Sequence, residues 1–275
     1  MTKISKLFPK GRRKAFTLSY DDGATQDRRL VEILNLHRLK ATFNLNSGLM
    51  SEECISIINE QKIQRINKEE VKELYQGHEV SLHGLTHLSL TDIPKELIVK
   101  EVLEDRRNQE ELLGYPIRGM AYPFGTYNSK VFEVLEALGV AYSRTVNSHK
   151  GFHLPSSYLE WNPTVHHNDP ALMKLAEKFV KSNFFDLSIF YVWGHSYEFD
   201  LDHNWEVIEK FCEYMSNRDD IWYATNIEIV DYLEAYDRLQ CSADLTFACN
   251  PSAIPVWMEV DGTKVVINPG ETKKL

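Results

Sequence analysis

Short apolar runs alternate with stretches of helical periodicity from residue 15 to residue 239. Residues 15–20, 41–45, 79–82, 118–122, 140–144, 187–193 and 221–224 have the length and β-branched or aromatic content of strands. Helical patterns follow them at 27–39, 68–76, 95–113, 129–138, 170–181, 205–217 and 225–239. Their ends carry the expected stops: Asn67, Asn128 and Thr225 as caps, and Gly77, Gly114 and Gly139 just past the last turns. Residues 52–61 read as a further short helix and 158–161 as a further strand. Parallel strands need a long crossover between neighbours, and a helix supplies it. The alternation therefore predicts an α/β fold, a parallel sheet closed or nearly closed into a barrel. Beyond Gln240 the period changes: 255–260 and 264–268 alternate about Asp261-Gly262, the signature of a β-hairpin. The expected organisation is a barrel over residues 1–239 and a small β appendage over 240–275 that takes no part in catalysis.

Charge narrows the partners. The chain of 275 residues has a formal net charge of -9, which disfavours nucleic acid and anionic lipid. The one basic cluster, Lys10, Arg12, Arg13 and Lys14, lacks interleaved aromatics and reads as a solvated face. No apolar stretch approaches the ~20 residues of a membrane helix. Residues 1–14 lack the apolar core of a secretory signal, so a cytoplasmic chain is expected unless a leader has been trimmed. The four cysteines are not in metal-binding pairs and are expected to be reduced, with Cys241–Cys249 the pair that export would favour.

The candidate chemistry lies just after predicted strands, where a barrel gathers its functional groups. Asp21 and Asp22 follow the first. Adjacent carboxylates can divide two tasks, one binding a metal and one accepting a proton, although Asp-Gly is also ordinary turn chemistry. His83 and His87 follow the third strand at a spacing that brings two imidazoles together on a helical turn, and imidazole is a common zinc ligand. His195 ends the most apolar strand, behind Gly194. Pro123-Phe124-Gly125 is a turn able to aim a backbone N–H into a site. His166-His167 has no partner motif and reads as a loop or cleft edge.

With these residues in order, the chain resembles the polysaccharide deacetylases, the family-four carbohydrate esterases with a NodB-homology domain. That family carries T-F-D-D, H-[ST]-x-x-H, R-x-P-[YF] and a late L-x-H. Here the matching stretches are Ser19-Tyr20-Asp21-Asp22, His83-Gly84-Leu85-Thr86-His87, Ala121-Tyr122-Pro123-Phe124 and Trp193-Gly194-His195. The resemblance implies an irregular (β/α) barrel and metal-dependent removal of acetyl groups from a carbohydrate. It implies Asp21 as general base and His195 as general acid. Asp22, His83 and His87 become ligands of one divalent ion, zinc being the expected metal, and the Phe124 N–H becomes an oxyanion donor. Gly84 replaces a hydroxyl residue. Ala121 replaces the arginine that contacts the base, and Arg144, at the end of the fifth strand, is the candidate substitute. The aspartate that orients the acid has no evident counterpart, with Glu198 and Asp200 as the nearby carboxylates. Tyr20, Tyr122, Trp161, Trp193 and Tyr197 are candidate platforms for sugar rings. Two other readings stay open: a catalytically impaired carbohydrate-binding relative, and a metal-dependent amidase acting on a non-sugar amide.

Overall fold

The computed structural model describes residues 3–275. Its centre is a curled parallel sheet built from β1 (Lys14–Asp21), β2 (Thr42–Leu45), β3 (Glu79–Leu82), β4 (Gly119–Ala121), β5 (Tyr142–Arg144), β6 (Val165–His166), β7 (Ser188–Gly194) and β8 (Ile221–Tyr223). The main path runs β5-β4-β3-β2-β1-β7-β6, and β8 pairs with β1. β7 lines one edge of β1 from Lys14 to Tyr20. The other edge is shared: β8 takes Lys14 to Phe16 and β2 takes Ser19 to Asp21. Trp161 exchanges backbone hydrogen bonds with Ser143 and Thr145, and Thr164 donates to the Tyr191 carbonyl. Residues 161–166 thus span from β5 to β7 and bring the two sides of the curl together.

Helices α1 (Asp27–Leu36), α2 (Lys68–Leu74), α3 (Lys95–Leu113), α4 (Ser129–Ala137), α5 (Leu172–Lys181), α6 (Trp205–Met215) and α7 (Asn226–Asp237) connect these strands. The period of two along β1 explains both the core and the site. Phe16, Leu18 and Tyr20 share one apolar cluster with residues of the helices, including Leu30, Leu34, Phe179 and Phe211. Each such buried side chain contributes about 2 kcal/mol. The intervening Thr17, Ser19 and Asp21 are also buried, and they bond to other polar residues: Thr17 to Asn226, Ser19 and Asp21 to Asn44. Asp21 is therefore the last inward position of its strand, and Asp22 is the first residue of the loop beyond.

Three expectations about local structure are corrected. Residues 52–61 are not helical. Ile55–Ile58 and Gln61–Gln64 form an antiparallel hairpin. Its turn residues Asn59 and Glu60 are both left-handed (φ 48° and 64°), the two-residue turn that matches strand twist. Ile63 anchors it against Ala24 and Tyr197. Tyr158–Glu160 is a 3-10 turn and not a strand, and only Trp161 bridges to β5. The basic cluster is a solvated face only at Lys10, which is exposed: Lys14 is buried and pairs with Asp220 at 2.9 Å, Arg13 pairs with Glu259 at 2.9 Å, and Arg12 donates to the Asp219 carbonyl.

Beyond α7 the expected hairpin is present as Val256–Val260 and Thr263–Ile267, with left-handed Asp261 and Gly262 at its turn. Its sheet takes a third strand from the other end of the chain, Ile4–Leu7. A second small sheet pairs Gln240–Cys241, Phe247–Cys249 and Thr272–Lys274. Cys241 lies opposite Ala248 and Cys249 opposite Gln240, so the two thiols project from opposite faces. Both are free, and this register forbids the disulfide that export would favour. Among the described residues, no helix is long and apolar enough to cross a membrane.

Candidate active site

The C-terminal ends of β1, β3, β4, β5 and β7 surround a cleft of about 510 Å³. Asp21, Asp22, His83, His87, Phe124 and His195 all line it, so six of the seven residues singled out in sequence share one mouth. The seventh, Arg144, lies fully buried beneath it and contacts Asp21.

Asp22 Oδ1 lies 3.8 Å from His83 Nε2 and 3.5 Å from His87 Nε2. This oxygen is buried and has no hydrogen-bond partner. The tautomer of His83 is fixed by its other nitrogen: Nδ1 lies 2.8 Å from the Ala121 carbonyl, which can only accept. The Nε2 lone pair therefore faces Asp22. Burial holds the imidazole neutral, its pKa lowered to about 4 despite the nearby carboxylates. Two neutral imidazoles and an ionised carboxylate converging within 4.8 Å fit a divalent cation. The helical turn expected between the histidines is absent. Gly84 and His87 are both left-handed (φ 77° and 60°), and this folded loop brings the rings together, 4.8 Å apart. A hydroxyl at position 84 is not what steadies the loop. Glu101 of α3 does so, accepting from the Thr86 N–H at 2.9 Å and its hydroxyl at 2.8 Å.

Asp21 accepts from Asn44 Nδ2 at 2.7 Å on one oxygen and from the Arg144 guanidinium on the other. Burial pushes its carboxyl up, but Arg144, with His83 and His195, more than offsets this and holds it below the ordinary range. The guanidinium is itself stacked 4.5 Å over Trp193. Arg144 thus reaches from β5 the position that Ala121 on β4 cannot fill; the two residues are register partners. Arg144→Leu leaves a buried carboxylate without its cation. It is expected to cost about 3–5 kcal/mol in urea denaturation, and a loss below about 1 kcal/mol would contradict the pairing.

Arg65 carries no signal in the sequence pattern. It follows the hairpin that this pattern conceals. Its guanidinium donates to the Asp22 carbonyl and lies 3.0 Å from Oδ1. Burial raises the Asp22 pKa, yet Arg65 and three histidines hold it far below the ordinary range.

His195 Nε2 faces the carboxylates, 3.9 Å from Asp21 and 4.0 Å from Asp22. Its Nδ1 lies 3.3 Å from Glu198 Oε1. Burial alone lowers its pKa, but the Glu198 bond and the two aspartates raise it to about 9 in the metal-free chain. Asp200 is engaged elsewhere, accepting from Gln26 and from the Trp205 indole. The other oxygen of Glu198 meets His166 Nε2 at 3.2 Å and His167 Nε2 at 3.1 Å. His166-His167 is therefore no mere cleft edge. These three groups also converge within 4.8 Å, but their protons point the other way. The Asn168 N–H donates to His166 Nδ1 at 3.2 Å, so Nε2, on the Glu198 side, is the nitrogen that carries the proton. The first cluster presents the His83 lone pair, and this one presents a His166 N–H.

The aromatic candidates separate by whether they line the cleft. Tyr20 and Trp161 are core residues, 0% and 2% exposed. Tyr122, Trp193 and Tyr197 line the cleft, and Phe124, 63% exposed, stands at its lip with its ring edge on His87. Asp22, His87 and Phe124 all have left-handed backbone (φ 82°, 60° and 58°), rare for residues with a side chain and common at functional sites.

Residues 9–143 match the family model of the polysaccharide deacetylases. Over those residues, just under half of the chain, it is similar to the polysaccharide deacetylase family. Its members are hydrolases acting on acetyl amide or ester bonds. The matched segment holds both aspartates, both metal-type histidines and Phe124, and ends just before Arg144. A protein from Mycobacterium smegmatis provisionally described as a polysaccharide deacetylase shares the fold (TM-score 0.61, 15% identity, 85% of this chain and 94% of that one). So does a family-four esterase pseudoenzyme from Bacillus anthracis, in a mutant form with restored activity (TM-score 0.50, 18% identity, 82% and 70%). The chain spans 61% of a Streptococcus pyogenes deacetylase, matching it over 52% of its own length (22% identity, TM-score 0.46). No curated protein sequence matches the chain.

Proposed function

We propose that this chain is a metal-dependent deacetylase of an acetylated carbohydrate. The observation that carries this reading is the meeting of Asp22 Oδ1 with Nε2 of His83 and of His87, beside an ionised Asp21 and a protonated His195. Asp22, His83 and His87 would hold the ion, with zinc favoured by the nitrogen-rich donor set. A bound divalent ion supplies Lewis acidity to the acetyl carbonyl and lowers the pKa of water in the cleft. Asp21, aimed by Asn44 and Arg144, takes the proton of the attacking water. The Phe124 N–H donates to the oxygen that becomes negative as the carbonyl carbon turns tetrahedral. His195 gives its proton to the departing amine or alcohol, and the C–N or C–O bond breaks to leave acetate. Cleft-facing Trp193, Tyr197 and Phe124 offer flat surfaces to the sugar. The binding-only reading drew its force from the missing motif arginine, and Arg144 on Asp21 removes that ground.

Zinc-loaded protein is expected to release acetate from N-acetylated chito- or peptidoglycan-derived oligomers or from O-acetylated xylan oligomers, and protein stripped with a chelator is not. The pKa of His195 is raised in the metal-free chain, so its acid form is favoured at neutral pH and is lost as pH rises. Activity should therefore decline on the alkaline side, at or below about pH 9 because a bound cation lowers that pKa further. Absence of acetate from every acetylated oligomer, with one equivalent of zinc bound, would overturn the reading.

A further inference from the structure

We propose that His166 and His167 are positioning residues that lock the Glu198 carboxylate so that its free oxygen aims His195. The proposal rests on the reading of His195 as the acid. Glu198 needs such help: it has a flexible side chain and opens a helix of only 4 residues, Glu198–Leu201. The His195 backbone N–H donates to its Oε2 at 3.1 Å, and the imidazoles of His166 and His167 flank the same oxygen with Nε2 at 3.2 Å and 3.1 Å, at ion-pair distance. That leaves Oε1 for His195 Nδ1. Two adjacent histidines thereby control the direction of a third, 28 residues later in the chain (195 − 167).

His167 is the rigid member. Its ring is fully buried between Phe199, 4.2 Å away and 25° from parallel, and Tyr20, 5.6 Å away and 19° from parallel. On its remaining side lies Gly194, where an added Cβ would come within 2.0 Å of Nδ1. The absence of a side chain beside His195 is thus what lets this ring reach Glu198. The carboxylate that meets His167 Nε2 also meets His195, through its other oxygen.

The test separates the N–H from the ring. His167→Phe keeps the flat packing surface and loses the donor, and His167→Gln returns an N–H without the ring. His167→Phe is expected to lower kcat about tenfold or more with KM and zinc content unchanged, as loss of such supporting contacts does. His167→Gln should recover part of the loss. Because His167 acts through Glu198, the double variant His167→Phe/Glu198→Gln should be no slower than Glu198→Gln alone. Wild-type kcat in His167→Phe, or losses that multiply in the double variant, would overturn the proposal. If His167→Phe fails to fold, His166→Ala, at a partly exposed position, takes its place in the same cycle, and the same two results would overturn the proposal. Nitrogen NMR of the imidazoles stands apart from turnover. The His195 Nδ1 resonance should move in His167→Phe. An unmoved resonance defeats the proposal even if the wild type releases no acetate, an outcome that defeats the acid reading instead.

Discussion

Asp21→Asn is expected to keep one equivalent of metal and to lose deacetylation by about 10²-fold or more. The substitution preserves shape, and an amide oxygen can still accept from Asn44 or face Arg144. What disappears is the capacity to take up a proton. Asp21 is suited to that task by two opposed effects. Burial raises its proton affinity, and Arg144 lowers it enough to keep the group ionised at neutral pH. Its position 3.9 Å from both His83 Nε2 and His195 Nε2 sets it between the metal-type cluster and the acid. The check is turnover by metal-loaded variant, with metal content measured on the same sample. Near wild-type turnover there would remove Asp21 from the base role.

His83→Ala is expected to hold no stoichiometric zinc after dialysis. Two ligands would remain from the three, and the lost one is the best organised, its proton fixed on Nδ1 by the Ala121 carbonyl. Removing the ring also strands that buried carbonyl, at a cost of about 1–3 kcal/mol. The variant should therefore melt earlier but still cooperatively, and circular dichroism must accompany the metal analysis. His166→Ala is the informative control and should retain its equivalent. Full zinc in His83→Ala and none in His166→Ala would move the metal to the Glu198 cluster, against the proton placement described above.

Much of this site was readable because its parts sit where strands stop. Asp21, His83, His195 and Arg144 each close or directly follow a strand, and strand ends are among the clearer signals in an alternating α/β chain. Arg144 was identified from the missing arginine at Ala121, since parallel neighbours in register present side chains to the same space. The hairpin at Ile55–Gln64 was missed for a definite reason. Ile-Ser-Ile-Ile carries no clear period, and the turn residues Asn59-Glu60 lack the glycine that usually marks a left-handed pair. Arg65 was lost with it. Glu198 was noticed and not chosen, because its partners His166 and His167 come from another strand and only the sheet order β7-β6 brings them beside it. Gly194 is a place of close approach, and the group that approaches it is the His167 ring.

The left-handed backbone at Asp22, His87 and Phe124 has a consequence for anyone trying to make this protein hardier. Replacing a side-chain-bearing residue at positive φ with glycine relieves strain of order 1 kcal/mol per position. A stability-guided redesign would therefore rank these three positions among its first targets. It would gain thermal tolerance by deleting two prospective metal ligands and the aromatic lip of the cleft. Three of the residues least suited to their own backbone are ones the proposed chemistry uses, so durability and turnover in this chain should be improved at separate addresses.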